Sequence, residues 1–209
     1  MTASIRNSVV LIIVAGGIAG IGGVQAQRAP SNAPGAINVT SDSAPGWIPS
    51  ERQRQDVIKS ASDYLSALDE GRYDGAYAMM SELNKRTLPF AQFVDRHQKL
   101  HAQSGPLRQR SILKVTWTKD PAAAPLPGVY AAIDVASRYE SVDRHCGYIV
   151  LYQGNDGDTF QVMRQETNLI DNAMAQKIEQ QKSRGELDRL WAKLAANCPN
   201  YDAASAKPQ

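Results

Sequence analysis

Three histidines, two cysteines and a few carboxylates are the residues of this 209-residue chain that could do chemistry. His97 and His101 stand four apart, so on a helix both imidazoles share a face, as in a helical zinc site. A zinc protease helix carries Glu directly after the first His; here Gln98 stands there, and no third ligand lies at a recognisable spacing. His97 also falls on an apolar stripe, so a packed or surface histidine is favoured and no metal is expected. His145 adjoins Cys146, which on sequence allows a Cys–His dyad. Asp134, Glu140, Asp143 and Glu166 lie on or near expected strands. With Tyr130, Tyr148 and Tyr152, Asp134 could line a cavity for acid–base work. Asp134 and Arg138 alternate with apolar residues, however, so the favoured reading puts them on the solvent face. Asn155-Asp156-Gly157-Asp158 lacks the length and closing Glu of a calcium loop and reads as a tight turn. No phosphate-binding loop, nucleophile elbow or haem-attachment motif occurs. The expectation is a non-catalytic protein with no cofactor.

The first 26 residues read as a cleavable secretory signal. Arg6 precedes an uncharged run from Val9 to Val24, and Val24-Gln25-Ala26 forms the cleavage site. A spanning helix needs about 20 apolar residues; this run has 16, five of them Gly. The expected compartment is the periplasm, with no membrane span after cleavage and any membrane association made through a partner. Loss of Arg6 leaves 22 basic against 21 acidic residues, too even a balance for nucleic acid. In an oxidising space the even cysteine count favours a Cys146–Cys198 disulfide. It would contribute roughly 4 kcal/mol in the chain-entropy model and remove the dyad's nucleophile.

Residues 27–50 carry four prolines among Ala, Ser, Asn and Gly and read as a flexible arm. Trp47 and Ile48 in it are candidate partner-binding anchors. Ser50 and Gln53 form a capping box. Val57, Ile58, Ala61, Tyr64, Leu65 and Leu68 then recur at helical spacing up to Gly71. A short helix capped by Asp74 and a third starting near Pro89 follow. The period next falls to two. Strands are expected around Leu113–Trp117, Val129–Arg138, His145–Tyr152 and Phe160–Glu166, with a hairpin turn at Asn155-Asp156-Gly157. One helix from Asp171 to Asn197, weakened at Gly185, precedes a loose tail at 199–209. The domain proper is thus 51–170 with the terminal helix at 171–198. The class is α+β, helices on one face of a curved four-stranded antiparallel sheet.

The stretch from Val57 to Thr167 resembles a bacterial secreted family known as domain of unknown function 4019. The resemblance is carried by Asp69-Glu70-Gly71-Arg72-Tyr73-Asp74 with Ala76-Tyr77, by Gly105-Pro106-Leu107-Arg108-Gln109-Arg110, and by Leu126-Pro127-Gly128-Val129-Tyr130. Phe160 stands where the family often has Trp. The resemblance implies a cone-shaped, nuclear-transport-factor-like fold and no catalytic residues. In overall plan, though not in motif, the chain is also similar to the small accessory subunit of periplasmic quinohaemoprotein alcohol dehydrogenases. That would imply docking to a subunit that carries pyrroloquinoline quinone and haem. The expected function is therefore an accessory or stabilising subunit of a larger exported or membrane-associated complex. The alternative is a small-ligand binder using the cone's cavity.

Overall fold

A computed structural model describes residues 37–157 and 159–195; the signal segment, Asp158, Cys198 and the tail lie outside them. The described residues form an α+β fold with a five-stranded mixed sheet in the order β1-β2-β3-β4-β5. In chain order the elements are β1 (Asn38–Val39), α1 (Glu51–Asp69), α2 (Tyr73–Ala78), α3 (Glu82–Thr87), α4 (Phe90–Ser104), β2 (Leu107–Lys119), β3 (Gly128–Tyr139), β4 (Val142–Gly154), β5 (Gln161–Asp171), α5 (Asn172–Gln181) and α6 (Arg184–Ala195).

β2 to β5 pair antiparallel in sequence order. The fifth strand corrects the four-stranded expectation. β1 comes from the arm and runs parallel to β2, with Asn38 opposite Thr116 and Val39 opposite Trp117. Two residues show no period, so no alternation announces such a strand. The second half of the arm is therefore fixed to the sheet, not a free spacer. Thr40 N–H donates to the Trp117 carbonyl and Ala44 N–H to that of Lys119, each at 2.9 Å. At the other edge, Val162 N–H donates to the Met79 carbonyl and Ser81 N–H to that of Val162. Both edges thus have local cover against strand addition.

The main core lies between α1, α2, α4 and one face of the sheet. Val57, Ala61, Tyr64, Leu65 and Leu68 enter it from α1, while Ile58, at the margin of the same stripe, is 37% exposed. Trp117, Ala131, Ile133, Ile149, Leu151 and Val162 meet them from the strands. Phe160 lies edge-on to Trp117 with centroids 6.2 Å apart. The capping box is present: Gln53 N–H donates to Ser50 Oγ and Ser50 N–H to Gln53 Oε1. Gly128 sits at φ +148°, where a Cβ would come 2.5 Å from the Gln153 carbonyl oxygen. That contact explains the Gly in Leu126-Pro127-Gly128.

The expected terminal helix is two helices. Asp171 caps α5 through Met174 N–H, and Ser183 caps α6 through Glu186 N–H. The break therefore falls at a capping serine, two residues before Gly185. Asp74 is likewise no cap; α2 starts after Arg72 without a side-chain cap. α3, which periodicity misses at six residues, is capped by Ser81 through Asn84 N–H.

These last helices also correct the one-sided packing. Successive residues of a strand face opposite sides of a sheet. Ile149 and Leu151 face the main core, so Cys146 faces the other side. There it forms a second cluster with Ile170, Ala175, Leu187 and Trp191. Arg144 on β4 adds an ion pair to Asp188 of α6 at 2.7 Å. The β4–β5 end of the sheet is thus covered on both faces.

Candidate functional site

A cleft opens where the C-terminal ends of α1 and α4 meet the inner face of β2 to β5. Its free volume is about 50 Å³, against roughly 300 Å³ or more for sites that enclose drug-sized ligands. Its apolar lining includes Leu65, Leu68, Leu100, Val135 and Ile149, and its polar lining includes Arg110, Ser104, Ser137, His97, His145, Tyr148 and Glu166.

Arg110 organises the polar side. It sits on β2 with only 16% of its side chain exposed and is held bidentately by Asp69, the last residue of α1. The same guanidinium donates to Ser137 Oγ at 3.1 Å and to the Tyr139 hydroxyl at 3.0 Å, both on β3. Burial pulls its pKa down, but the Asp69 bond and nearby Tyr139 outweigh this and the net shift is upward. One charged group so joins the end of α1 to two strands. The two partners come from two of the motifs that carried the family resemblance, Asp69-Glu70-Gly71-Arg72-Tyr73-Asp74 and Gly105-Pro106-Leu107-Arg108-Gln109-Arg110. On sequence alone these read as turn signatures. The opposite charges that the two motifs carry are the signal that could have pointed to a buried pair.

His145 is 5% exposed. Its Nδ1 accepts the Ser137 backbone N–H at 3.1 Å, and its ring lies edge-on to Tyr139 at 5.4 Å. Burial first, and the Arg110 charge second, lower its pKa from 6.5 to about 3. His97 is 7% exposed and packs on Phe93 with centroids 4.4 Å apart. Burial, aided by Arg96, lowers its pKa to about 4. Both rings are neutral at pH 7.

The remaining candidate residues divide between the two faces of the sheet. His97 and His101 border the same cleft, His97 buried and His101 exposed at the rim. No cluster of three or more metal-ligating side chains is found among the described residues. His145 and Cys146 face opposite sides of the sheet, so they form no dyad whatever the state of the sulfur. Cys146 is fully buried and is not a free cysteine; Cys198 lies outside the described residues. Asp134 is on the face opposite the cleft, as its alternation suggested, but it is 7% exposed and not solvated. Its cross-strand neighbours there are Lys114 and Tyr148. Tyr148 is pushed up to about 12, chiefly by burial and then by its bond to Glu166, and Arg164 lies over its ring at 5.6 Å. Tyr130 and Tyr152 pair with each other, rings 5.0 Å apart, and their hydroxyls donate to the Leu126 and Pro127 carbonyls. Glu140 pairs with Arg108 and Asp143 with Arg144. Asp134 is therefore not among the residues that line the cleft.

The two expected anchors differ in exposure. Trp47 is half-buried against the core with its ring 6.5 Å from Trp117, while Ile48 is 66% exposed.

The family model described as Protein of unknown function (DUF4019) matches residues 60–163. The chain belongs to this family. The matched span includes Asp69, Arg110, Ser137, Tyr139 and His145, so the whole polar network lies within it. No curated protein matches the chain. Among solved structures, a domain of unknown function with a cystatin-like fold from Nostoc punctiforme matches with 12% identity. That match covers 73% of this chain and 100% of the other, with a TM-score of 0.42. No helix among the described residues is long and apolar enough to cross a membrane.

The two neutral histidines set an acid limit. Both folded-state pKa values lie below the unfolded 6.5, so below that pH the unfolded chain binds more protons. The stability is fully present above pH 6.5 and is lost as pH falls toward 4 and 3. The slope approaches about 1.4 kcal/mol per pH unit for each histidine. Urea unfolding at pH 7, 6 and 5 measures it. His145→Asn, which keeps an acceptor for Ser137, is expected to flatten the slope by about half of the combined histidine effect. Identical slopes in variant and parent would refute the assignment.

Proposed function

We propose that this chain is a non-catalytic exported protein that acts as an accessory or stabilising subunit of a larger periplasmic or membrane-associated complex. The observation that carries this reading is the Trp47–Ile48 step. Trp47 is fixed between the sheet edge and Trp117, and its neighbour Ile48 is presented to solvent at the entrance to α1. An apolar side chain on a fixed backbone loses little entropy when a partner covers it. Such anchors dominate binding energy in interfaces. The cleft supports the same reading in a second way. In the cleft, Asp69 is held by Arg110 and the buried His97 and His145 are neutral.

In this reading the sheet curves around α1, α2 and α4 as a cone, with Arg110 and Asp69 near its mouth. Export places Cys146 in an oxidising space, and its bridge to Cys198 ties the chain just beyond α6 to β4. It would reinforce the face where Leu187 and Trp191 already pack on Cys146. With the bridge formed, the denatured protein takes up no maleimide until reductant is added, and reduction costs roughly 4 kcal/mol of stability. Labelling of two thiols without reductant would refute the bridge.

The subunit role is tested by cross-linking tagged protein in its native periplasmic or membrane fraction. One larger partner is expected in stoichiometric amount. Ile48→Asp, a change at an exposed site, is expected to lower its capture about tenfold or more, while Lys59→Ala leaves it unchanged. A monodisperse monomer with no cross-linked partner, or undiminished capture by Ile48→Asp, contradicts the proposal.

A further inference from the structure

The outer face of the sheet is covered unevenly. Among the described residues, the second cluster draws its strand residues, Cys146 and Ile170, from β4 and β5. β2 and β3 contribute none to it. Yet Asp134, on the outer face of β3, is only 7% exposed. It stands between Lys114 on β2 and Tyr148 on β4. Desolvating a carboxylate is costly unless hydrogen bonds compensate it. A carboxylate accepts about four such bonds, so Asp134 can take a hydroxyl donor beside any group it already holds.

The chain that follows α6 supplies such a donor. Beyond the described residues it runs Cys198-Pro199-Asn200-Tyr201-Asp202-Ala203-Ala204, and Tyr201 is the first aromatic after Trp191. With Cys198 bridged to Cys146, as proposed above, this segment starts beside Asp134. Cys146 lies two residues from Tyr148 on the same face, about 7 Å along β4, and Tyr148 pairs with Asp134 across a strand spacing of about 5 Å. The step from Cys146 to Asp134 is thus about 8 Å, and the three residues from Cys198 to Tyr201 span up to about 10 Å. Asp202 then falls toward Lys114, one strand further on.

Charge agrees with this path. Lys114 is half-buried and enters no ion pair among the described residues. Asp202 is the only charged residue between 199 and 204.

We propose that segment 199–204 folds back onto the outer face of β3 and β2, with the Tyr201 hydroxyl donating to Asp134 and Asp202 paired with Lys114. The segment gives β3 the cover that α5 and α6 give β4 and β5, and it closes that face to other partners. This inference rests on the Cys146–Cys198 bridge and is independent of the partner surface at Ile48.

The test uses the oxidised full chain in solution by nuclear magnetic resonance, with maleimide uptake reporting the bridge separately. Overhauser contacts are expected from the Tyr201 ring to the methyl groups of Ala132 or Ala136, which flank Asp134 on that face, all within one molecule. Tyr201→Ala should remove them and move the amide resonances of Lys114, Asp134 and Tyr148. Tyr201→Phe should keep the ring contacts and move Asp134. Acetylation of Lys114, read against exposed Lys59, should quicken about twofold or more in Asp202→Asn, the worth of one surface ion pair. With the bridge formed, shifts confined to residues 198–204, ring contacts to a second molecule in a mixed-label sample, or unchanged Lys114 acetylation overturns the proposal. Two free thiols would remove the tether and overturn it as well.

Discussion

The described structure depends most on one charged contact, the guanidinium of Arg110 against the carboxylate of Asp69. Arginine on the inner face of a sheet is costly to desolvate. It is tolerated here because Asp69, Ser137 and Tyr139 take four of its N–H groups. The contact joins the last residue of α1 to β2 and, through the same guanidinium, to β3. It also fixes the electrostatics of the cleft: Asp69 is spoken for, and the Arg110 charge helps keep His145 neutral. Removing one partner from such a pair costs about 3–5 kcal/mol, because the other charge is left buried alone.

The sheet itself serves two cores. Its inner face meets α1, α2 and α4 in one cluster, and its outer face at β4 and β5 meets α5 and α6 in another. Adjacent residues on β4 divide between them, His145 inward to the polar network and Cys146 outward to Trp191. That division separates the histidine's electrostatics from the sulfur's chemistry.

Where local patterns are strong, the sequence is readable. The Ser50 box, the apolar stripe of α1, the Pro89 start of α4 and the alternation of β3 and β4 each stand on a spacing that one element alone satisfies. What escapes has a physical reason in each case. β1 is two residues long and is set by its partner, Trp117, far along the chain. The first half of β2 is hidden because Arg110 occupies an inward position that the apolar pattern reserves for Val or Ile. Asp134 faces the expected side, but its burial depends on what covers that face, which a period-two pattern does not report. Asp69 and Arg110 both stand in the family motifs as turn residues; only the tertiary register brings the two together.

The central claim is that this pair couples α1 to the sheet. A double-mutant cycle on Asp69→Asn and Arg110→Met, read by urea unfolding at pH 7, tests it most directly. The double variant is expected to be less destabilised than the sum of the singles, with a coupling of about 2–3 kcal/mol. Additive effects, with coupling near zero, would contradict it.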